Sequence, residues 1–570
     1  MKKLFTPDSP HIDLGLNGVE IFSNGSGSHH ELRKLHQRVD LIRMATKKVG
    51  GIYLYSNQIG CDGYLSIILF YFLLRKFIYK FKLRSRVYYD GCCMIAMNGE
   101  IVAQGSQFSL MDCEVVTATL DLDLVRTLRA AFVSRSLQAT STTIDFVRIF
   151  LNIRLTQSHQ FMFTPQHDLI APATPIQVKF HTAEEEICYG PACWLWDYLR
   201  RSGLQGFFLP LSGGLDSSST ATIVYAMCHL LMNSIQNNDP IVIADIKRII
   251  GAENYPPTSA NDLLHKLLFT CFMSTSQSTP QSRSRAGQLA KIIGCSHYDV
   301  DIDSIVNSFL YVFSTIFPGK QPRFKVNGGT PSENRALENI QARTRMVFSY
   351  LLAQLLPWIH GKTGSLLVLS SSNVDEALRG YLTKYDCSSA DLNPIGGVCK
   401  ADLRRFMFWA KTKFSISVLS DILSSPPSAE LEPQDPNQSS PTGSQKIDPL
   451  TVPTQDMCIS YEEISKFGRF RKVYNCGPLS MFENFVFDWQ HYSPVTVAAK
   501  VKTFFHFYGI NRHKMTVITP AYHAESYSPD DNRYDLRPFL YPNWALQFRC
   551  IDSAVETLNR RSILSNSSRL

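Results

Sequence analysis

From Glu184 onward, short apolar runs alternate with longer amphipathic stretches. Phe207 to Leu211, Leu267 to Met273, Tyr298 to Ile302 and Leu366 to Leu369 read as buried strands separated by helices. Such runs, apolar on both faces, predict a mostly parallel, doubly wound sheet with helices on each side. Before residue 125 the pattern differs. Gly18 to Phe22, Gly51 to Tyr55, Cys93 to Met97 and Val115 to Leu120 are β-rich and separated by polar turns such as Asn98-Gly99, which predicts a layered α/β or sandwich unit. Residues 126–180 are poorly periodic and carry several prolines. The expected organisation is therefore a first unit over 1–150, a linker over 151–180, a second unit over 181–545 and a tail over 546–570, disordered after Arg560. Ser424 to Gln455, rich in Pro, Ser and Asp, predicts a mobile loop. In a helix over 333–356, Leu337, Ile340, Val347 and Leu351 have the spacing of a core stripe, while Asn339 and Arg343 share another face.

Composition narrows the classes. The 570 residues are 44% hydrophobic, enough for sizeable cores, and a net charge of +8 over that length favours anionic ligands without indicating nucleic acid. Fourteen cysteines accompany an amino terminus, MKKLFTPDSPHID, that has no apolar signal core, so an intracellular, cytoplasmic setting is expected. No cysteine or histidine cluster has zinc spacing. Tyr64 to Leu74 is an apolar run with a basic flank at 75, 76, 80, 82, 84 and 86. It is shorter than the roughly 20 residues a membrane crossing takes. Deleting Tyr64 to Ser85 would join two halves of one strand-and-turn segment, so the run reads as an insertion, such as a retained intron, and not as an anchor.

Candidate chemistry centres on Pro210 to Ser217, Pro-Leu-Ser-Gly-Gly-Leu-Asp-Ser, where the apolar strand gives way to a helix. A strand feeding a glycine turn that opens a helix aims backbone N–H groups and a positive dipole end at one small volume, which suits an anion. Gly213 and Gly214 permit close approach of a phosphate, Ser212 and Ser217 add hydroxyls, and Asp216 is placed to hold a divalent cation. No lysine follows the glycines, so this is not a Walker loop. After Leu366 to Leu369 comes a second strand end, Ser-Ser-Ser-Asn-Val-Asp-Glu, with Asp375 and Glu376 in a first helical turn. Asp216 and Glu376 could share one metal; alternatively Glu376 simply partners Asn373 in a capping box. Arg343 and Arg345 could clamp phosphate or carboxylate. Lys384 and Lys400 read as solvated unless a site closes over them, and Asn511 to Lys514 forms a basic cluster.

The Ser212 loop resembles that of the ATP pyrophosphatases, adenine nucleotide α hydrolase-like proteins. Together with Glu338 to Arg343, Ser372 to Asp386 and His523 to Tyr534, in that order, it resembles the synthetase domain of glutamine-dependent NAD+ synthetases of the eukaryotic two-domain type. The resemblance implies that Pro210, Leu211, Ser212, Gly213, Gly214, Leu215, Asp216 and Ser217 bind ATP, with Ser212 and Asp216 at the catalytic centre. It places Mg2+ on Asp216 and Glu376, and Ser371, Lys400 and Ser428 beside ATP. Deamido-NAD would be held by Asn339, Arg343, Glu376, Lys384, Asp391, His513 and Lys514. The implied reaction is ATP-dependent amidation of deamido-NAD+ through an adenylate, releasing AMP and pyrophosphate. A homo-oligomer is implied; nucleic-acid and membrane partners are not.

Asn24 to His30, Gly60 to Gly63 and Tyr89 to Gly91 resemble the later strings of a nitrilase-like glutaminase. That family's Glu, Lys and nucleophilic Cys are not found in this sequence. The first unit is therefore expected to be a partial nitrilase-like sandwich, inactive as a glutaminase, with free ammonia or a partner acting on glutamine as the nitrogen source. Two other readings compete: a different ATP pyrophosphatase-type enzyme sharing only the Ser212 loop, and a non-catalytic regulatory subunit.

Overall fold

The computed structural model describes residues 3–61, 87–141, 146–152, 171–252, 257–426, 430–433, 459–525 and 541–567, with side chains up to 560. The chain divides into two compact units, Met1–Thr182 and Ala183–Leu570. The insertion expected at 64–85 lies outside the described residues.

In the first unit a sheet runs in the order Ile21–Ser26, Ile52–Asn57, Met94–Met97, Glu100–Gln104. Its first pair is parallel and the others antiparallel. Parallel neighbours need a crossover, which the helix Leu35–Val49 supplies by laying Val39, Ile42 and Ala45 against Phe22, Tyr53 and Met94. Asn98 and Gly99, both at positive φ, turn the last hairpin in the way its strand twist favours. A separate hairpin pairs Ile59–Cys61 with Tyr88–Asp90.

Val115 to Leu120, expected as a strand, joins no sheet. Its Val116, Ala118 and Leu120 pack side-on against Ile52, Ile95 and Val102, so apolar contact has replaced a ladder of main-chain bonds. Residues 171–180, expected within a linker, are bound to this unit: Ile176 N–H donates to the Ile101 carbonyl, Lys179 N–H to Gln104 Oε1, and Val178 and Phe180 reach the core.

The second unit holds all four of its expected strands in a parallel sheet, ordered Leu367–Val368, Phe207–Pro210, Leu268–Ser274, Ser296–Asp301. The chain steps outward from Phe207 to Ser296, then returns to the other side of Phe207–Pro210 to form Leu367–Val368. Strand order thus reverses between these two, and the crevice beyond their carboxyl ends is where such sheets bind ligands. The return path includes the helix Pro331–Ile359, opened by a capping box between Thr330 and Glu333. Its buried face differs from the expected stripe. Leu337 is buried, but Val347 and Leu351 are 69% and 47% exposed, whereas Met346, Ala353 and Leu356 meet Phe208, Phe269 and Val368. Apolar residues surround this helix, so spacing alone did not choose the face.

Beyond the sheet, the helices Tyr461–Lys472, Pro478–Asp488, Pro494–Ile510 and Ala545–Ser567 enclose an aromatic core of Phe467, Phe485, Trp489 and Phe504, which also takes in Val374 and Leu378. The expected tail over 546–570 is thus largely helix, because Phe548, Ile551, Val555 and Leu558 recur at helical spacing and dock. No described helix is long and apolar enough to cross a membrane. Ile551 is fully buried. Ile551→Ala should cost about 2–5 kcal/mol, read as a fall in Tm by calorimetry; an unchanged Tm would show that the helix does not dock.

Candidate functional site

The first strand end shapes a cup. Leu211 N–H still donates to the Cys271 carbonyl at 2.9 Å, after which the chain turns away from the sheet. Gly213 has φ +74°, and a Cβ there would lie 2.3 Å from the Ser282 carbonyl oxygen, so only glycine fits. Gly214 caps the helix Leu215–Gln236 without a side chain, which leaves the approach to its first turn open. Ser212 Oγ, 3.0 Å from Ser217 Oγ, accepts the Gly214 N–H at 3.3 Å. Arg285 Nε donates to the Gly213 carbonyl from behind.

The second strand end is joined to the first by one amide. Asn373 caps the helix Val374–Arg379, its Oδ1 accepting from the N–H groups of Asp375 and Glu376. Its Nδ2 donates to Asp216 Oδ1 at 3.1 Å and to Glu376 Oε1 at 3.0 Å. Glu376 thus shares the Asn373 amide with Asp216, a contact between side chains and not the reciprocal main-chain bond of a capping box. The two carboxylates are hard donors facing the same nitrogen, a set that suits a divalent cation.

Lys400 is not solvated as its sequence context suggested: it is 6% exposed, its ammonium binds Asp216 Oδ2, and its main-chain N–H donates to Asp375 Oδ2 at 2.8 Å. Asp375 is wholly buried, which pushes its carboxyl up to about 7 although the Lys400 N–H and charge pull the other way.

The residues assigned to deamido-NAD gather mainly around the turn at 380–386. Asn339 Oδ1 accepts from the Thr383 hydroxyl at 2.7 Å, and Arg343 Nε donates to the Lys384 carbonyl at 3.0 Å. The Lys384 ammonium sits 5.5 Å from the centre of the Tyr385 ring. Lys514 Nζ donates to the carbonyls of Gly380 and Leu382, and burial lowers its pKa. His513 is exposed, with Nδ1 3.0 Å from the Ile510 carbonyl. Asp391 instead braces the sheet, accepting from Val368 N–H and the Tyr350 hydroxyl. Arg343 and Arg345 form no clamp: Arg345 Nε turns inward to the Met273 carbonyl, since residues two apart on a helix face different ways. Ser371 follows the second strand, half-buried; Ser428 lies outside the described residues.

Part of the loop expected to be mobile is pinned. Glu430 accepts from Thr279 N–H, Thr279 Oγ1 and Ser282 Oγ, and the Leu431 carbonyl accepts from Gln341 Nε2. Asn334 Nδ2 donates to both Glu432 and Glu338. Sequence reading missed this strap, the bridging role of Asn373 and the burial of Asp375. The only signal available was an asparagine cap followed by two acids.

The parallel sheet with a serine-diglycine loop at its switch point defines an ATP pyrophosphatase-type synthetase unit, preceded by a nitrilase-like sheet. Family comparison agrees: residues 191–465 match NAD synthase and residues 3–130 match carbon-nitrogen hydrolase. The chain belongs to the glutamine-dependent NAD+ synthetase family. It is 52% identical to the glutamine-dependent NAD(+) synthetase of Dictyostelium discoideum over 99% of this chain and 74% of that protein, and 50% identical to the Mus musculus protein over 98% and 72%. The crystal structure of a glutamine-dependent NAD(+) synthetase from Cytophaga hutchinsonii has the same fold, with TM-score 0.64 and 19% identity over 94% of this chain and 71% of that one.

Burial and the adjacent Glu432 carboxyl raise the Glu338 pKa to about 8. A raised carboxyl pKa means that the folded chain binds a proton the unfolded chain has released. This contribution is thus present at acid pH and is lost as pH climbs from the ordinary glutamate range through about 8. Glu338→Gln should flatten the dependence of Tm on pH over that interval, and an unaltered slope would show that the two carboxyls share no proton.

Proposed function

We propose that the second unit amidates deamido-NAD+ at the expense of ATP, with Asp216 and Glu376 holding Mg2+. The observation that carries this reading is the Asn373 amide, which brings carboxylates from two neighbouring strand ends together beside the Gly213-Gly214 turn. Backbone N–H groups of the turn, with the Ser212 and Ser217 hydroxyls, cradle the phosphates; Ser371 and Ser428 complete the nucleotide contacts. Charge neutralisation at the phosphates is what a magnesium ion supplies when bound there. Lys400, already against Asp216, is placed to swing its ammonium to a phosphate oxygen.

Asn339, Arg343, Lys384, His513 and Lys514 hold deamido-NAD so that its nicotinate carboxylate meets the α-phosphate, and Asp391 supports them from the sheet. Attack there forms an acyl-adenylate and expels pyrophosphate. Ammonia then attacks the carbonyl carbon, AMP departs with the bonding pair, and loss of a proton leaves the amide. Neither step needs a protein nucleophile, so positioning and electrostatics provide the rate.

Two further features belong to this reading. All thirteen described cysteines are free thiols, which suits a reducing cytoplasm. The helix Asp303–Ile316 buries only Val306 yet exposes Phe309, Val312, Phe313 and Ile316. A face of that composition is one that a second copy of the chain would cover, giving a homo-oligomer.

Ammonium is the donor for the first test, since it reaches this site without a glutaminase. Purified protein given deamido-NAD+, MgATP and ammonium should form NAD+ and AMP in equal amounts. Asp216→Ala or Glu376→Ala should slow this by about 100-fold or more, since losing a direct ligand costs at least as much as losing a supporting residue; release of ADP in place of AMP would overturn the mechanism. Val312→Lys should lower the mass measured by light scattering to that of one chain, and an unchanged oligomer would place the interface elsewhere.

A further inference from the structure

The helix Val374–Arg379 is too short to hold its shape alone, yet it carries Asn373, Asp375 and Glu376 at its start. Its other end is held by three side chains from a single turn of chain. Arg512, 3% exposed, donates through Nη2 to the carbonyls of Ala377 at 3.0 Å and Leu378 at 2.8 Å. Asn511 Nδ2 donates to the Arg379 carbonyl at 3.0 Å, and Lys514 takes those of Gly380 and Leu382. The Ala377 carbonyl also accepts the Gly380 N–H at 3.2 Å, so these side chains add to the main-chain bonds at a helix end, where carbonyls run short of partners.

Arg512 is itself anchored. Its Nε donates to the Tyr508 carbonyl, and its guanidinium lies 4.1 Å from the centre of the Tyr508 ring. Tyr508 belongs to the aromatic core that also buries Val374 and Leu378. The fit is tight: Gly380 has φ +70°, and a Cβ on it would sit 2.2 Å from Asn511 Cβ.

We propose that Arg512 is a positioning residue for the cation site. Resting on the reading of Asp216 and Glu376 as cation ligands, it fixes the helix at the angle from which Asn373 spans both carboxylates. Ala377 directly follows Glu376, so a shift at the guanidinium is passed on within one residue. A planar fork can serve two adjacent carbonyls while stacking on a ring, and a lysine ammonium cannot do both.

The test is a Mn2+ titration, followed by electron paramagnetic resonance in the presence of a non-hydrolysable ATP analogue, on the full chain. Arg512→Met should weaken Mn2+ binding about tenfold or more, the effect of losing a supporting residue around a metal. Arg512→Lys should fall between it and the wild type, and guanidinium ion added to Arg512→Ala should restore part of the affinity. Wild-type affinity in folded Arg512→Met, or no rescue by guanidinium, overturns the inference. Should Arg512→Met not fold, Asn511→Ala removes one carbonyl partner of the same clamp. A smaller loss of Mn2+ affinity there supports the inference, and unchanged affinity overturns it. Failure of the wild type to bind Mn2+ at all would instead refute the cation site, and the inference with it.

Discussion

A single buried amide bridges carboxylates from two strand ends that main-chain pairing has brought side by side. Asp216 and Glu376 come from segments far apart in sequence, and two carboxylates at close range repel. The Asn373 NH2 group donates to both, and the Lys400 ammonium sits on the far oxygen of Asp216, so the cluster is stable before any ligand arrives. Because Asn373 lies beyond Leu367–Val368 and Asp216 beyond Phe207–Pro210, the pairing of these two strands is what creates the site. A fold with another strand order would leave the same residues apart.

Legibility in the sequence tracked whether a feature was local. Phe207 to Leu211 and Leu267 to Met273 are apolar throughout because both faces are covered, and that condition is written into the run itself. The Gly213 turn was legible for the same reason: its positive φ is a local condition that favours glycine, whereas its contact with the remote Ser282 carbonyl was not legible. Lys400 was left conditional on a site closing over it, because its burial depends on Asp216, a remote partner. The helix Pro331–Ile359 was misphased because apolar side chains surround it and only the sheet selects among them. Glu430 looked like loop residue on composition alone, and what holds it is the Thr279 end of a helix about 150 positions away, at a separation of 151.

The first unit obeys a similar rule with a different device. Asp90, fully buried, accepts from Arg38 Nη2 at 2.8 Å, from Gln107 Nε2 at 2.8 Å and from Asn57 Nδ2 at 3.3 Å. Burial pushes its carboxyl up, but Arg38 and these donors outweigh that and hold it below the usual range. Asn57 also donates to the carbonyls of Ser28 and Gly91, so sheet, hairpin and loop meet at one point.

A buried pair of this kind adds little over apolar packing, yet removing one partner costs about 3–5 kcal/mol because a charge is stranded. Its value is in register. Asp90 ends the hairpin strand Tyr88–Asp90, whose partner Ile59–Cys61 lies on the other side of residues 62–86. A slip by one residue would turn Asp90 to the opposite face and leave Arg38 as a buried cation facing no carboxylate. Among the described residues, Arg38, Asn57 and Gln107 are the groups that meet Asp90 and tie this hairpin to the sheet and its crossover helix.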